Sequence, residues 1–229
     1  MAGPLSDMQK KRERMVANQI ERRGLHDPAV LAAMREVPRE AFVSENHRKH
    51  AYDDGPLPIP EGQTISQPYV VALMIVALEL KPEDRVLEIG TGSGYAAAVL
   101  SRIAATVFTV ERFAALVEYA RTNLALTGYQ NVLVHQGDGT LGWPDHAPYE
   151  AIIAAAGGPK VPEALKEQLA VGGRLIMPVG SAQREQQLVK LTRLTEGEFK
   201  KKVLSHVRFV PLIGEQGWEK EERRWLDIF

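Results

Sequence analysis

Cysteine is absent from this 229-residue chain, and that gap excludes disulfides, thiolate nucleophiles and Cys-ligated zinc. It fits a reducing cytosol. A surplus of charge is also missing. The 28 Lys and Arg residues stand against 29 Asp and Glu, so no global field draws the chain to nucleic acid or to an anionic membrane. Lys10, Lys11, Arg12 and Arg14 are not followed by an apolar run, so neither a secretory signal nor a membrane span is read there. Internal repeats and low-complexity stretches are lacking too. What is present is a 45% hydrophobic chain, long enough to bury a full core. The expectation is one cytoplasmic domain, monomeric by default, in three segments: helical residues 1–80, an α/β core over 81–180, and a hairpin with a tail over 181–229.

Local signals place the elements. Residues 5–24 set Leu5, Met8, Met15, Val16 and Ile20 among charges, with Gly24 at a C-cap position, which predicts a helix. Asp27 followed by Pro28 reads as an N-cap and a favoured first helical residue, opening a short helix through Glu36 that Pro38 stops. Asp53 to Gly62 is broken by Pro and Gly and predicts an extended surface loop. Ser66 precedes Gln67-Pro68 and an apolar run from Val70 to Leu80, so it sits at or beside a helix N-cap. From residue 84 strands at 85–89, 106–111, 131–135, 150–155 and 172–179 alternate with helices at 94–104, 113–127 and 162–169. That order predicts βαβ units and a parallel sheet. Beyond Pro178, the alternating stretches 185–195 and 198–210 meet at Glu196-Gly197 and predict an antiparallel hairpin at one end of the sheet. After Gly214, the residues Trp218, Trp225, Leu226, Ile228 and Phe229 are spaced to dock a last turn.

The chemistry concentrates at strand ends. Val86 to Gly94 reads as a buried strand entering a glycine turn and then a helix, whose free N–H groups point back at the turn. The glycines run Gly90-x-Gly92-x-Gly94, one residue out of register with the dinucleotide fingerprint G-x-G-x-x-G, and Glu88 stands two residues before the first. About twenty positions on, Glu111 closes the second strand where an acid is expected to hold ribose hydroxyls. Gly137-Asp138-Gly139 follows the third strand, where an aspartate can accept from an adenine amino group. The bland alternatives are an exposed carboxylate at Glu111, a turn-forming Asp-Gly at 138, and a charge capping the loop from below at Glu88. A nicotinamide-dependent oxidoreductase or an idle cofactor-binding module also remains open at this level.

Taken together, these elements resemble the S-adenosylmethionine-dependent methyltransferases of the Rossmann-like class. The resemblance implies a doubly wound α/β sheet, mostly parallel, with an antiparallel C-terminal hairpin and added N-terminal helices. It further implies that Glu88, Gly90, Thr91, Gly92, Ser93, Glu111, Asp138 and Gly139 hold S-adenosyl-L-methionine and its product S-adenosyl-L-homocysteine, with no metal.

A second resemblance concerns the acceptor. Gln63-Thr64-Ile65-Ser66-Gln67-Pro68-Tyr69 closely resembles the substrate-side motif of protein-L-isoaspartate O-methyltransferases. Val37-Pro38-Arg39-Glu40-Ala41-Phe42, Tyr52-Asp53-Asp54 and Phe209-Val210-Pro211-Leu212-Ile213-Gly214 agree with it. By this resemblance Ser66 has the active-site role, not as a covalent nucleophile. Gln63, Thr64 and Ile65 line the substrate groove, and Val210, Pro211 and Leu212 present backbone to an extended peptide. The alternatives are a plain N-cap at Ser66 and an edge strand broken by Pro211. The implied reaction methylates the α-carboxylate of isoaspartyl residues in damaged proteins and peptides, initiating their repair. A carboxylate with an ordinary pKa of roughly 3.3 to 3.9 is already ionised at neutral pH and needs no general base. Position 69 is tyrosine and position 71 valine, where some family members carry histidines, so no imidazole help is expected there. His47 and His50 lack a third ligand for a metal, and Lys200 to Lys202 read as a solvated hairpin. Neither nucleic acid nor membrane is an expected partner.

Overall fold

The computed structural model describes residues 6–181 and 185–219. Its centre is a seven-stranded sheet. The strands are β3 (Arg85–Ile89), β4 (Thr106–Glu111), β5 (Val132–Gln136), β6 (Tyr149–Ala154), β7 (Leu169–Gly180), β8 (Gln186–Arg193) and β9 (Phe199–Val207). In space they run β5-β4-β3-β6-β7-β8-β9. Pairing is parallel from β5 to β7 and antiparallel from β7 through β9. A smaller ribbon pairs β1 (Leu57–Ile59) with β2 (Gln63–Ile65). Helices α1 (Asp7–Met15), α2 (Pro28–Glu36), α3 (Pro68–Leu78), α4 (Tyr95–Ser101), α5 (Ala114–Thr127) and α6 (Glu163–Glu167) complete the layers.

Alternation along the strands divides the core in two. Val86, Val107, Ala151, Ile153 and Ile176 face a cluster that also buries the N-terminal helices, α3, α4 and α5. Leu87, Ile89, Phe108, Val110, Ile152, Ala154, Leu175 and Met177 face a second cluster that takes Leu165 of α6 and Leu212. Helices therefore cover both faces, as the doubly wound reading requires. The helix starts follow the caps: the Asp27 side chain accepts from the Val30 N–H at 2.9 Å, with Pro28 in the first turn. The stretch 39–52 is tied down by fully buried Arg39, whose Nε donates to the Ala51 carbonyl at 2.8 Å while its guanidinium lies 4.9 Å from the Tyr95 ring centre. Desolvation pulls its pKa below the usual arginine value. Among the described residues no helix is long and apolar enough to cross a membrane.

Several expectations are corrected in detail. The helix read over 5–24 is α-helical only to Met15. It widens into a π-turn at Val16–Ile20 and tightens to 3₁₀ at Glu21–Arg23, an arrangement in which Met15, Val16 and Ile20 are all buried. The loop read over 53–62 contains β1, because Pro58 needs no N–H on a two-stranded ribbon whose other strand is β2. Strand β7 begins at Leu169, not 172, since a register shift between the pairs Tyr149–Leu169 and Ala151–Arg174 lets residues 170–173 bulge opposite Glu150. This shortens α6 to five residues. Strand β9 ends at Val207, and residues 209–213 leave the hairpin and cross to the end of β6 as a strap, with Pro211 bridging Gly157. Trp218 docks, its indole N–H donating to the Gly157 carbonyl at 3.0 Å. Trp225, Leu226, Ile228 and Phe229 lie outside the described residues.

Candidate active site

Strand order reverses direction between β3 and β6, and in open α/β sheets the crevice at the carboxyl ends beside such a point takes ligands. A cavity of about 750 Å³ lies there. Its floor is formed by Gly90, Gly92, Glu111, Gly139 and Ala155. One wall comes from Gln63, Thr64, Ser66 and Gln67, and the other from Gln186, His206, Arg208 and the strap 209–213.

The glycine turn works through its backbone. Gly90, Gly92 and Gly94 all take positive φ, at 91°, 55° and 89°, so a side chain at any of them is strained. Gly90 and Gly92 line the cavity, whereas Thr91 and Ser93 are buried and turned into the protein. The Thr91 hydroxyl meets that of Thr109 at 2.6 Å, and the Ser93 carbonyl accepts from the Asn123 amide at 3.0 Å. Glu88 does not line the cavity either. It is 1% exposed and accepts from the Thr109 hydroxyl at 2.6 Å. Burial, aided by the charge of Glu111 and opposed by the Thr109 hydrogen bond, pushes its pKa up to about 8. Thr91, Ser93 and Glu88 shape the turn from beneath.

Glu111 is held at the cavity floor. One carboxylate oxygen accepts from the Gly92 N–H at 3.0 Å; the other accepts from the N–H groups of Arg112 at 2.8 Å and Phe113 at 3.1 Å. Two oxygens offer about four acceptor sites, so capacity remains for a ligand's hydroxyls. Val110, Phe113 and Leu116 give the adjoining surface an apolar side. An apolar face next to a fixed acid suits an adenosine, and the residues present fit such a group. Gly139 shares the floor, but Asp138 does not line the cavity. Its carboxylate accepts from the Thr140 N–H and hydroxyl at 2.9 and 2.7 Å and from the Glu215 N–H at 2.8 Å, tying the turn after β5 to the end of the strap.

On the substrate side, Ser66 lies next to the cap of α3 rather than at it. The N-cap is Gln67, which makes no side-chain capping bond. Ser66 lines the cavity, and its hydroxyl has no hydrogen-bond partner among the described residues. Gln63 and Thr64 line it too, while Ile65 is buried behind them. Val210, Pro211 and Leu212 all reach the opposite wall. Residues that sequence reasoning missed are Arg112 and Phe113, which directly follow the strand-end acid, and Gln186, His206, Arg208 and Phe209 from the hairpin. The position after Glu111 was a usable signal for the first two. The hairpin residues carry no motif. Among the described residues no group of three His, Asp or Glu side chains is placed to hold a metal ion.

Known proteins match most of this architecture. The family model of protein-L-isoaspartate(D-aspartate) O-methyltransferase matches residues 10–217. A protein-L-isoaspartate O-methyltransferase 1 of Rhodopseudomonas palustris strain HaA2 is 60% identical over 219 residues, 94% of this chain and 89% of its own. One from Pelobacter propionicus is 58% identical, covering 93% and 95%. A solved protein-L-isoaspartate O-methyltransferase superposes with a TM-score of 0.80 at 30% identity, covering 92% of this chain and 67% of its own. A Plasmodium falciparum protein assigned to the same family, solved with S-adenosyl-L-homocysteine, gives 0.78 at 26% identity over 88% and 98%. With matches of this extent, the chain belongs to the protein-L-isoaspartate(D-aspartate) O-methyltransferase family.

Proposed function

We propose that this chain, acting as a single catalytic domain in the cytoplasm, transfers the methyl group of S-adenosyl-L-methionine to the α-carboxylate of L-isoaspartyl residues. Damaged proteins and peptides are its substrates, and a monomer suffices. One observation carries the reading: a single cavity joins the Gly92–Glu111 floor to the Gln63–Ser66 wall and the 209–213 strap. Glu111 and the backbone of Gly90, Gly92 and Gly139 would hold the cofactor, which supplies an activated methyl group when bound. The acceptor carboxylate is ionised at neutral pH, so the site needs no base. Its task is alignment, and effective-molarity gains of up to about 7–11 kcal/mol are available from orientation alone. Ser66 orients the carboxylate, a role supported by its position on the cavity wall and by a hydroxyl without a hydrogen-bond partner among the described residues. Val70, Phe209, Leu212 and Ile213 make the cavity wall apolar, and a dry site favours a reaction that consumes charge. On the strap, the Pro211 carbonyl and Ile213 N–H have no hydrogen-bond partner among the described residues. They are left for the main chain of an extended peptide, which gives affinity without a demand for sequence.

The test is transfer of labelled methyl from S-adenosyl-L-methionine to an isoaspartyl peptide beside the same peptide with normal aspartate. Strong labelling of the first alone is expected. Equal labelling of both, or none, rejects the reading.

A further inference from the structure

Gln186 is the first residue of β8, is 3% exposed, and lines the cavity. Among the described residues its carboxamide makes two hydrogen bonds, both to one residue of the strap. Nε2 donates to the Phe209 carbonyl at 3.1 Å, and Oε1 accepts from the Phe209 N–H at 2.8 Å. The amide therefore stands in for a neighbouring strand, presenting one donor and one acceptor to one backbone residue. The next anchor is Gly157, whose N–H donates to the Val210 carbonyl and whose carbonyl accepts from the Leu212 N–H, both at 2.8 Å. Gly157 has to be glycine for this, since a Cβ there would fall 2.5 Å from the Gln186 amide nitrogen. The strap is thus held at its start by the Gln186 side chain and in its middle by the Gly157 backbone, while the Trp218 N–H donates to the Leu212 carbonyl at 2.8 Å near its end; the Pro211 carbonyl and Ile213 N–H have no partner among the described residues.

We propose that Gln186 is the positioning residue that fixes the strap's height and register at the cavity wall, and through it the seat of the peptide substrate. This rests on the strap being where the peptide binds. A filler role does not require an amide: a buried leucine occupies similar volume, and burying a polar group is unfavourable unless its bonds are made. Both bonds are made, and among the described residues they go to the strap alone. Glu111 takes its hydrogen bonds from Gly92, Arg112 and Phe113, and none among the described residues links it to Gln186, so loss of the Gln186 bonds acts on the strap directly and not on the acid.

Two variants test this in the full chain. Gln186→Leu removes both bonds, whereas Gln186→Glu keeps the acceptor for the Phe209 N–H and loses the donor. The probes are an isoaspartyl peptide for steady-state kinetics, S-adenosyl-L-homocysteine for calorimetric titration, and hydrogen exchange at the 209–213 amides of the free protein. For Gln186→Leu the peptide KM is expected to rise about tenfold or more, kcat to fall less than threefold, and the S-adenosyl-L-homocysteine Kd to stay within twofold, with faster strap exchange. Gln186→Glu should lie between this variant and the native protein. Unaltered strap exchange overturns the anchoring role itself. Faster exchange with an unaltered peptide KM overturns the proposal together with the strap as the peptide's seat. A Kd for S-adenosyl-L-homocysteine that moves as far as the peptide KM shows a general structural part and overturns it as well.

Discussion

The backbone N–H of Gly92 donates to the carboxylate of Glu111 at 3.0 Å, so the glycine turn after β3 and the acid ending β4 form one unit. Both Glu111 oxygens are already acceptors for N–H groups. Replacement by glutamine must therefore turn an amide donor toward a backbone donor, whichever way it flips. We expect Glu111→Gln to weaken S-adenosyl-L-homocysteine binding nearly as much as Glu111→Ala, by about 10- to 100-fold, the scale of one charged hydrogen bond at ~1.5–3 kcal/mol. Calorimetric titration checks this, and native-like affinity in the glutamine variant contradicts it.

Glu88 makes stability depend on pH. Its pKa is raised by burial from 4.5 to about 8, so the folded chain binds a proton that the unfolded chain releases. The resulting stabilisation is complete below about pH 4.5 and is lost as pH rises through 8. At ~1.4 kcal/mol per unit, the loss between pH 5 and 8 is on the order of 4 kcal/mol at most. Glu88→Gln mimics the neutral carboxyl and can still accept from Thr109. In urea unfolding the variant should match the native protein near pH 5 and exceed it at pH 8. Parallel pH profiles for the two proteins go against this.

How much of this was legible beforehand follows from distance along the chain. The strands over 85–89 and 106–111 declare themselves by their Val, Leu, Ile, Phe and Thr residues bounded by turns, and a strand-end acid such as Glu111 follows from strand position. Gln186 was not legible because its partner Phe209 is 23 residues away and the bond is to backbone, which leaves no residue pattern. Pro58 hid β1 because proline argues against a strand in general, whereas a two-stranded ribbon tolerates it. Asp138 points to adenine by its strand-end position, while its structural bonds are a separate matter. Its partners Thr140 and Glu215 lie on both sides of a long-range contact that local spacing cannot show.

Arg174 joins the sheet to the end of α3. It pairs with buried Asp84 at 2.9 Å and donates to the carbonyls of Leu78, Glu79 and Glu150. The helix-end carbonyls thus find their partner in β7. Arg174→Ala leaves the buried Asp84 carboxylate with only the Lys81 N–H as a hydrogen-bond partner among the described residues, and a loss of about 3–5 kcal/mol is expected. Adding Asp84→Asn should recover part of it. Urea midpoints of the single and double variants decide the matter, and an additive or greater loss in the double variant argues against the pair.

Ser66 separates chemistry from stability. A capping serine typically contributes ~1 kcal/mol to its helix, but the cap of α3 is Gln67, so Ser66→Ala should leave the unfolding free energy within about 0.5 kcal/mol. Ser66 lines the cavity that Glu111 and the strap also line, and its hydroxyl has no hydrogen-bond partner among the described residues. Losing a hydrogen bond to a carboxylate there should lower kcat by about 10- to 100-fold, with S-adenosyl-L-homocysteine affinity changed far less. Ser66→Thr keeps the hydroxyl and should restore part of the rate. If Ser66→Ala instead lowers the urea midpoint and spares turnover, Ser66 serves the fold and the carboxylate is oriented by another group on the Gln63–Gln67 wall.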